Sequence, residues 1–195
     1  MKVVQLDQEN AKAVAKLMHG IKPEWWPTFE DAYGQLTNID ESIGTVGWYL
    51  SDENGNPLGW ALFREMKAYL SLELECSGFN DKGVFKLEHK LKDLFDVAEK
   101  YAKSKGYTTL RTGMSSLDFN IDGQRIDNIA EALESLKTQR VDYYWLLDYG
   151  FRVMGIHPNA YGNNMHCILF VKELEWKFNS WIKKGNIAFF NVYWN

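Results

Sequence analysis

Glu73 and Glu75 stand two residues apart in the run Tyr69-Leu-Ser-Leu-Glu-Leu-Glu-Cys76. In an extended chain this spacing puts them on one face with Tyr69 and Ser71, and puts Leu70, Leu72 and Leu74 on the other. A carboxylate lining a cleft is partly desolvated and binds its proton more tightly, so either glutamate could act as a general base near neutral pH. Facing solvent or basic side chains of a neighbouring strand, the two would be an ordinary charged surface. Lys82, Lys86 and Lys90 recur every fourth residue, along one face near a helix start. Cations there oppose the helix dipole and one another, at about 0.2–1 kcal/mol each. A bound polyanion would relieve that cost; a solvated lysine face capped by Asn80 or Asp81 is the alternative. Trp25 and Trp26 lie between Pro23 and Pro27, so they sit in a loop. They could stack on an amine, a cation–π contact of ~0.5–2 kcal/mol, or plug the edge of a core.

The remaining reactive side chains are less suggestive. Cys76 could pair with His89 or His157 as a nucleophile, but no local signature supports it and a small buried cysteine is the expectation. His157, His166 and Cys167 match no familiar zinc spacing, and Cys167 falls in an apolar strand, so no metal is expected.

The elements that must position these residues follow from periodicity. Strands are predicted over 3–6, 45–51, 58–64, 69–76, 107–112, 151–157 and 165–172, and helices over 9–19, from Thr28, over 84–105 and over 126–149, the last with a break near Thr138. Thr28 and Asp31 have the spacing of a capping box. Asn54-Gly55 marks a hairpin turn, because both residues tolerate positive φ. Leu87, Leu91, Leu94, Phe95, Ala98, Tyr101 and Ala102 form one apolar stripe, and Gly106 stands where a helix C-cap belongs. Residues 117–125 read as a polar loop. Residues 176–195, with Trp176, Phe178, Trp181, Phe189, Phe190, Tyr193 and Trp194, read as an aromatic hairpin turning at 183–186. A hairpin alone is marginal in water, so it must pack on its own domain or on a partner chain.

Composition sets the outer bounds. The chain has 195 residues, a net charge of −4 and a pI near 5.6. That acidic balance disfavours a nucleic-acid partner held by phosphate neutralisation. The first twenty residues carry no apolar signal core, and the longest apolar runs are too short to span a bilayer. Two cysteines exclude a disulfide framework, so the cytoplasm is the expected compartment. No internal repeat or low-complexity linker divides the chain. The fold class expected is α+β: a central mixed, largely antiparallel sheet flanked by helices, over residues 1–174, with the aromatic hairpin of 175–195 appended.

Three segments in this order resemble the GCN5-related N-acetyltransferase (GNAT) family. They are the glycine-bearing hairpin leading into a strand, Gly55 to Glu75; the helix ending Glu99-Lys-Tyr-Ala-Lys-Ser-Lys-Gly-Tyr107; and Trp145-Leu-Leu-Asp-Tyr-Gly-Phe151, followed by strands ending Cys-Ile-Leu-Phe-Val-Lys-Glu-Leu174. The resemblance implies acetyl-CoA as co-substrate, with no metal, and direct acetyl transfer to a small amine or a peptide amino group. It places a backbone N–H of the Glu75–Ser77 stretch at the thioester carbonyl, and Glu73 or Glu75 as the base. The family's coenzyme loop reads Gln/Arg-x-x-Gly-x-Gly/Ala, whose glycines let backbone N–H groups approach a pyrophosphate at a helix N-terminus. Counting back from Gly106 puts Lys86–Leu91 there, without a glycine. Counting forward from the strand puts Asn80–Phe85 there, with Gly83. The second placement makes Cys76, Ser77, Asn80, Lys82, Gly83, Val84 and Lys86 the coenzyme contacts.

The family's acid is often a tyrosine four residues before the Gly-Phe glycine. Leu146 occupies that position here, so the acid expected is Tyr144, one turn earlier. By the same resemblance Trp25 and Trp26 border the acceptor pocket. Two alternatives stay open: a catalytically inactive ligand-binding or regulatory module of the same fold, and a structural partner assembled through the aromatic tail. A monomer or a homodimer fits either way.

Overall fold

In a computed structural model, residues 1–37, 44–80 and 87–174 are described, with the backbone alone for 87–91. The strands are β1 (Lys2–Gln5), β2 (Thr45–Ser51), β3 (Pro57–Met66), β4 (Ser71–Phe79), β5 (Thr109–Ser115), β6 (Arg152–Gly162) and β7 (Met165–Glu173). The helices are α1 (Ala11–Ile21), α2 (Phe29–Thr37), α3 (Leu87–Ser104), α4 (Ile129–Glu134) and α5 (Val141–Asp148). One sheet takes the order β1-β2-β3-β4-β5-β7-β6. Every neighbouring pair is antiparallel except β4–β5, which is joined by the α3 crossover. The mixed sheet flanked by helices is thus present. The C-terminal hairpin expected over 176–195 lies outside the described residues.

The sheet is buried on both faces. Val46, Trp48 and Leu50 of β2 and Ala61 and Phe63 of β3 pack with Leu94, Phe95 and Ala98 of α3 and Leu146 of α5. Tyr49, Trp60 and Leu62 point the other way, onto Ala11, Val14, Ala15 and Met18 of α1 and Ala32 and Leu36 of α2. The strand alternation and the helical stripes therefore meet face to face.

Local signals account for the boundaries. The Thr28 N–H donates to Asp31 Oδ2 at 3.0 Å and the Asp31 N–H to Thr28 Oγ1 at 3.1 Å, the reciprocal bonds of a capping box. Gly106, at φ +81°, closes α3 while the Tyr107 N–H reaches back to the Ala102 carbonyl. The helix expected over 126–149 with a break near Thr138 is two short helices, α4 and α5, parted there. Thr138 pairs with Phe119 in an isolated bridge, donates to the Asp118 carbonyl, and accepts the Arg140 N–H ahead of α5. Leu70 departs from its expected strand face. It is exposed, with φ +47°, at the end of a 3₁₀ turn (Lys67–Tyr69), and β4 begins only at Ser71.

Candidate active site

The centre of the sheet opens where its one parallel pair ends. β4 and β5 pair at Ser71–Thr109, Leu72–Leu110 and Glu73–Arg111 and then part, although β4 continues to Phe79 and β5 to Ser115. A bulge in β4 sits at the parting. Leu74 opposes Phe63 and Cys76 opposes Leu62, which leaves Glu75 as the extra residue. A bulge bends its strand and interrupts the ladder, so it is what turns β4 away from β5.

The bulge also resets which side chain faces where. Leu72 packs in the α3 core, whereas Cys76 packs in the α1–α2 core. Strict alternation would have put them on one face. Glu73 and Glu75 differ accordingly. Glu75 forms an ion pair with Arg64. Glu73 is half-buried, in register with Arg64 on one side and Arg111 on the other, and has no hydrogen-bond or ion-pair partner among the described residues. The Arg111 guanidinium lies 5.0 Å from the Tyr69 ring centroid.

Register also fixes the direction of the β4 peptide groups. The Asn80 N–H donates to the Leu58 carbonyl of the neighbouring strand at 2.8 Å. N–H and C=O of one residue point to the same strand edge, and the edge alternates along the chain. Gly78 and Cys76 therefore face β3, and Ser77 faces the side that β5 has left. The Ser77 carbonyl confirms this, since it accepts from Lys22 Nζ, at 3.3 Å, rather than from β3. The Ser77 N–H points into the same gap.

The wall on the α1–α2 side is a chain of contacts. Lys22 Nζ lies 4.3 Å from the Trp25 ring centroid. Trp25, 59% exposed, meets Trp26, 5% exposed, which packs edge-on against Trp60 at 5.8 Å. The Trp26 indole donates to Gln35 Oε1 at 2.6 Å, and Gln35 Nε2 lies 3.8 Å from Cys76 Sγ. Burial pushes the Cys76 thiol up to about 11, with the nearby Lys22 ammonium acting against that rise. Cys76 is therefore a neutral thiol at neutral pH and a poor nucleophile.

Tyr144 lies in α5, half exposed, and its hydroxyl donates to the Thr138 carbonyl at 3.0 Å. Arg140, just before α5, donates to the Ser115 and Leu117 carbonyls, which docks that helix start at the C-terminal end of β5. Leu146 is buried in the α3 core. Asn80 follows directly on β4; Lys82, Gly83, Val84 and Lys86 lie outside the described residues.

The histidines and Cys167 do not form a common site. His166 is buried; its Nδ1 accepts the Asn159 N–H at 3.1 Å, so Nε2 carries the proton and donates to the Gln124 carbonyl at 2.8 Å. His157 is exposed on β6. Among the described residues no group of three potential ligands could hold a metal ion. Ser116, Asp122 and His166 are neighbours without forming a catalytic triad. Ser116 Oγ donates to Asp122 and accepts from the His166 backbone, not from its ring.

Sequence reasoning missed Lys22, Gln35 and Arg111. Nothing in their local sequence marks them, because each reaches the gap only through the tertiary packing of α1, α2 and β5.

No family model matches the sequence, and no curated protein matches it. Solved structures do match the fold. The aminoglycoside 6'-N-acetyltransferase from Enterococcus faecium superposes with a TM-score of 0.75 at 16% identity, over 92% of this chain and 100% of that one. An aminoglycoside 6'-N-acetyltransferase complexed with coenzyme A gives the same TM-score, identity and coverage. The ribosomal-protein-S18-alanine N-acetyltransferase from Escherichia coli gives 0.60 at 13% identity, over 99% of both chains. The fold is that of the GNAT N-acetyltransferases.

Proposed function

We propose that the protein is an acetyl-CoA-dependent N-acetyltransferase that transfers the acetyl group directly to a primary amine. One observation carries this reading: the β4–β5 gap opens at the Glu75 bulge with the Ser77 N–H turned into it, and Glu73, without a hydrogen-bond or ion-pair partner among the described residues, stands at the last paired position before it. The gap accepts the thioester arm of acetyl-CoA, with its carbonyl at the Ser77 N–H. A backbone donor aimed at the carbonyl oxygen stabilises the charge that develops there as the amine attacks. Glu73 takes the amine proton as the nitrogen–carbon bond forms. The carbon–sulfur bond then breaks and the thiolate of coenzyme A leaves. Tyr144 is the proposed proton donor to that sulfur, for which its hydroxyl must exchange the Thr138 carbonyl for the thiolate. Trp25 and Trp26 border the acceptor. Coenzyme phosphates fall to the Asn80–Lys86 loop and the lysine series. The coenzyme A complex of a protein with this fold supports coenzyme A as the ligand. Among proteins of this fold are an aminoglycoside 6'-N-acetyltransferase and a ribosomal-protein-S18-alanine N-acetyltransferase, which supports an amine acceptor without choosing one.

The test is a thermal-shift titration with acetyl-CoA, using ATP as control. A ligand at a hundred times its Kd adds about 2.7 kcal/mol, which for a chain of this size is a rise of roughly 5–11 °C. A saturable rise with acetyl-CoA and none with ATP is expected. No rise at millimolar acetyl-CoA would overturn the transferase reading in favour of a module that keeps the fold without the coenzyme. With an accepted amine in hand, Glu73→Gln is expected to slow transfer by roughly 10²–10⁴-fold with the acetyl-CoA shift retained.

A further inference from the structure

We infer that Lys22 is a positioning residue of the acyl site: its ammonium, held at the Ser77 carbonyl, supplies positive charge beside the oxygen that the Ser77 N–H receives. This rests on the acetyltransferase reading and adds to it a side chain from a different element.

Lys22 ends α1 in a non-helical conformation, φ −131° and ψ 64°, and its carbonyl accepts the N–H groups of both Trp25 and Trp26. That turn folds the Trp25 ring back beneath the lysine's own ammonium. The loop is pinned from a second direction, with the Trp26 carbonyl 2.8 Å from His19 Nδ1. The lysine head is thus placed by two contacts, the Trp25 ring at 4.3 Å and the Ser77 carbonyl at 3.3 Å. No carboxylate pairs with it among the described residues. An ammonium held by a ring face and a neutral carbonyl has room for an anionic partner.

The geometry names that partner. Ser77 presents its N–H and its C=O on the same edge of β4, so a thioester oxygen that approaches the N–H also approaches the negative end of the carbonyl. Lys22 cancels that repulsion where it arises. As the amine attacks, the carbon–oxygen π electrons move onto the oxygen. A full positive charge one peptide group away then favours the tetrahedral state over the bound thioester.

The test needs no knowledge of the acceptor. The probe is acetyl-CoA carrying ¹³C at the thioester carbonyl, bound to the full chain and read by isotope-edited infrared difference spectroscopy, with calorimetric Kd values for CoA and acetyl-CoA alongside. In the wild type the carbonyl band is expected at lower wavenumber than in water. Lys22→Met is expected to lose most of that shift while its Kd for CoA changes by less than about twofold, and Lys22→Arg to keep it. Lys22→Gln, which retains a donor to Ser77 without the charge, serves where the methionine variant does not fold, and is also expected to lose the shift. An unshifted band in the wild type, or a shift that survives in the folded variants, overturns the role of Lys22. A loss of CoA affinity of about tenfold or more overturns it as well, because the lysine would then be a coenzyme contact. Absence of any acetyl-CoA binding by the wild type overturns the acetyltransferase reading itself, and so is told apart from failure of the lysine.

Discussion

Two glycine–aromatic pairs next to the gap put the finest constraint on this chain. Gly59 opposes Phe79 and Trp60 opposes Gly78 across β3 and β4. A Cβ at Gly78 would lie 2.2 Å from the Trp60 ring, and one at Gly59 would lie 2.2 Å from the Phe79 ring. Both rings are buried. Gly78→Ala should therefore overpack the core by about 1–3 kcal/mol, read as a lower urea midpoint at unchanged slope. Gly34→Ala is the internal contrast. It sits inside α2 with nothing within 4 Å of its Cβ, and should gain about 0.5–1 kcal/mol. A neutral Gly78→Ala would mean that Trp60 is not fixed where the gap needs it. Neither ring-over-glycine contact is legible in the sequence, since Gly59-Trp60 and Gly78-Phe79 acquire their meaning only from the register. The carboxylates show the same limit. Glu73 and Glu75 are equivalent by spacing, yet the bulge hands Glu75 to Arg64 and leaves Glu73 without an ion-pair partner among the described residues. Glu75→Gln should accordingly slow acetyl transfer far less than Glu73→Gln; equal effects would put both carboxylates at the acceptor.

Elements are held together by polar contacts that pH can address. Glu65, at the end of β3, accepts the Tyr101 hydroxyl of α3 at 2.7 Å and is shared by Tyr107 at the start of β5. Burial works to raise this carboxyl, but the two phenols and Lys67 outweigh it and hold it below the ordinary carboxylate range. Burial and Glu65 together push Tyr107 up to about 12. The signs follow from linkage. A carboxyl depressed in the folded state contributes stability above its unfolded pKa, and that stability is lost as pH falls through the folded value. A phenol raised in the folded state contributes below pH ~10, and its share fades between there and about 12. Glu65→Gln should thus lower the melting midpoint at pH 7, and its deficit should shrink both in acid and above pH ~10. A deficit independent of pH would mean that the side chain matters for shape alone. The break in the last long helix is a second case. The sequence places a break near Thr138, and the structure supplies its form: a bridge to Phe119 and a hydroxyl that accepts the Arg140 N–H ahead of α5. Thr138→Val removes both hydrogen bonds of a buried hydroxyl and should cost about 1–3 kcal/mol, measured by denaturant unfolding. The α3 stripe from Leu94 to Ala102, its Gly106 end and the Thr28 box are likewise written in nearby residues, and they form where the sequence places them.

At the scale of the whole molecule, the order of elements proved more informative than any single motif. Helices before a hairpin, a long crossover helix after the central strand, and a Gly-Phe step into two final strands are decided by local periodicity, and together they specify one sheet order. A coenzyme-binding loop is not legible in the same way, because the backbone N–H groups such a loop uses can be supplied by many sequences. The aromatic tail stands apart from both. Residues up to Leu174 already cover both faces of the sheet, and Leu174 is buried with its N–H on the Thr108 carbonyl, which closes β7 against the start of β5. A chain ending at Leu174 should therefore unfold in one cooperative transition and keep its stabilisation by acetyl-CoA. Calorimetry with and without the ligand checks both. Light scattering on the two lengths adds the association state. A drop from dimer to monomer on truncation would assign Trp176, Trp181 and their aromatic neighbours to a contact between copies of the chain. Loss of the cooperative transition would instead make residues 175–195 part of the folding unit. The two faces of the sheet would then be insufficient on their own, and the boundary expected at residue 174 would fall.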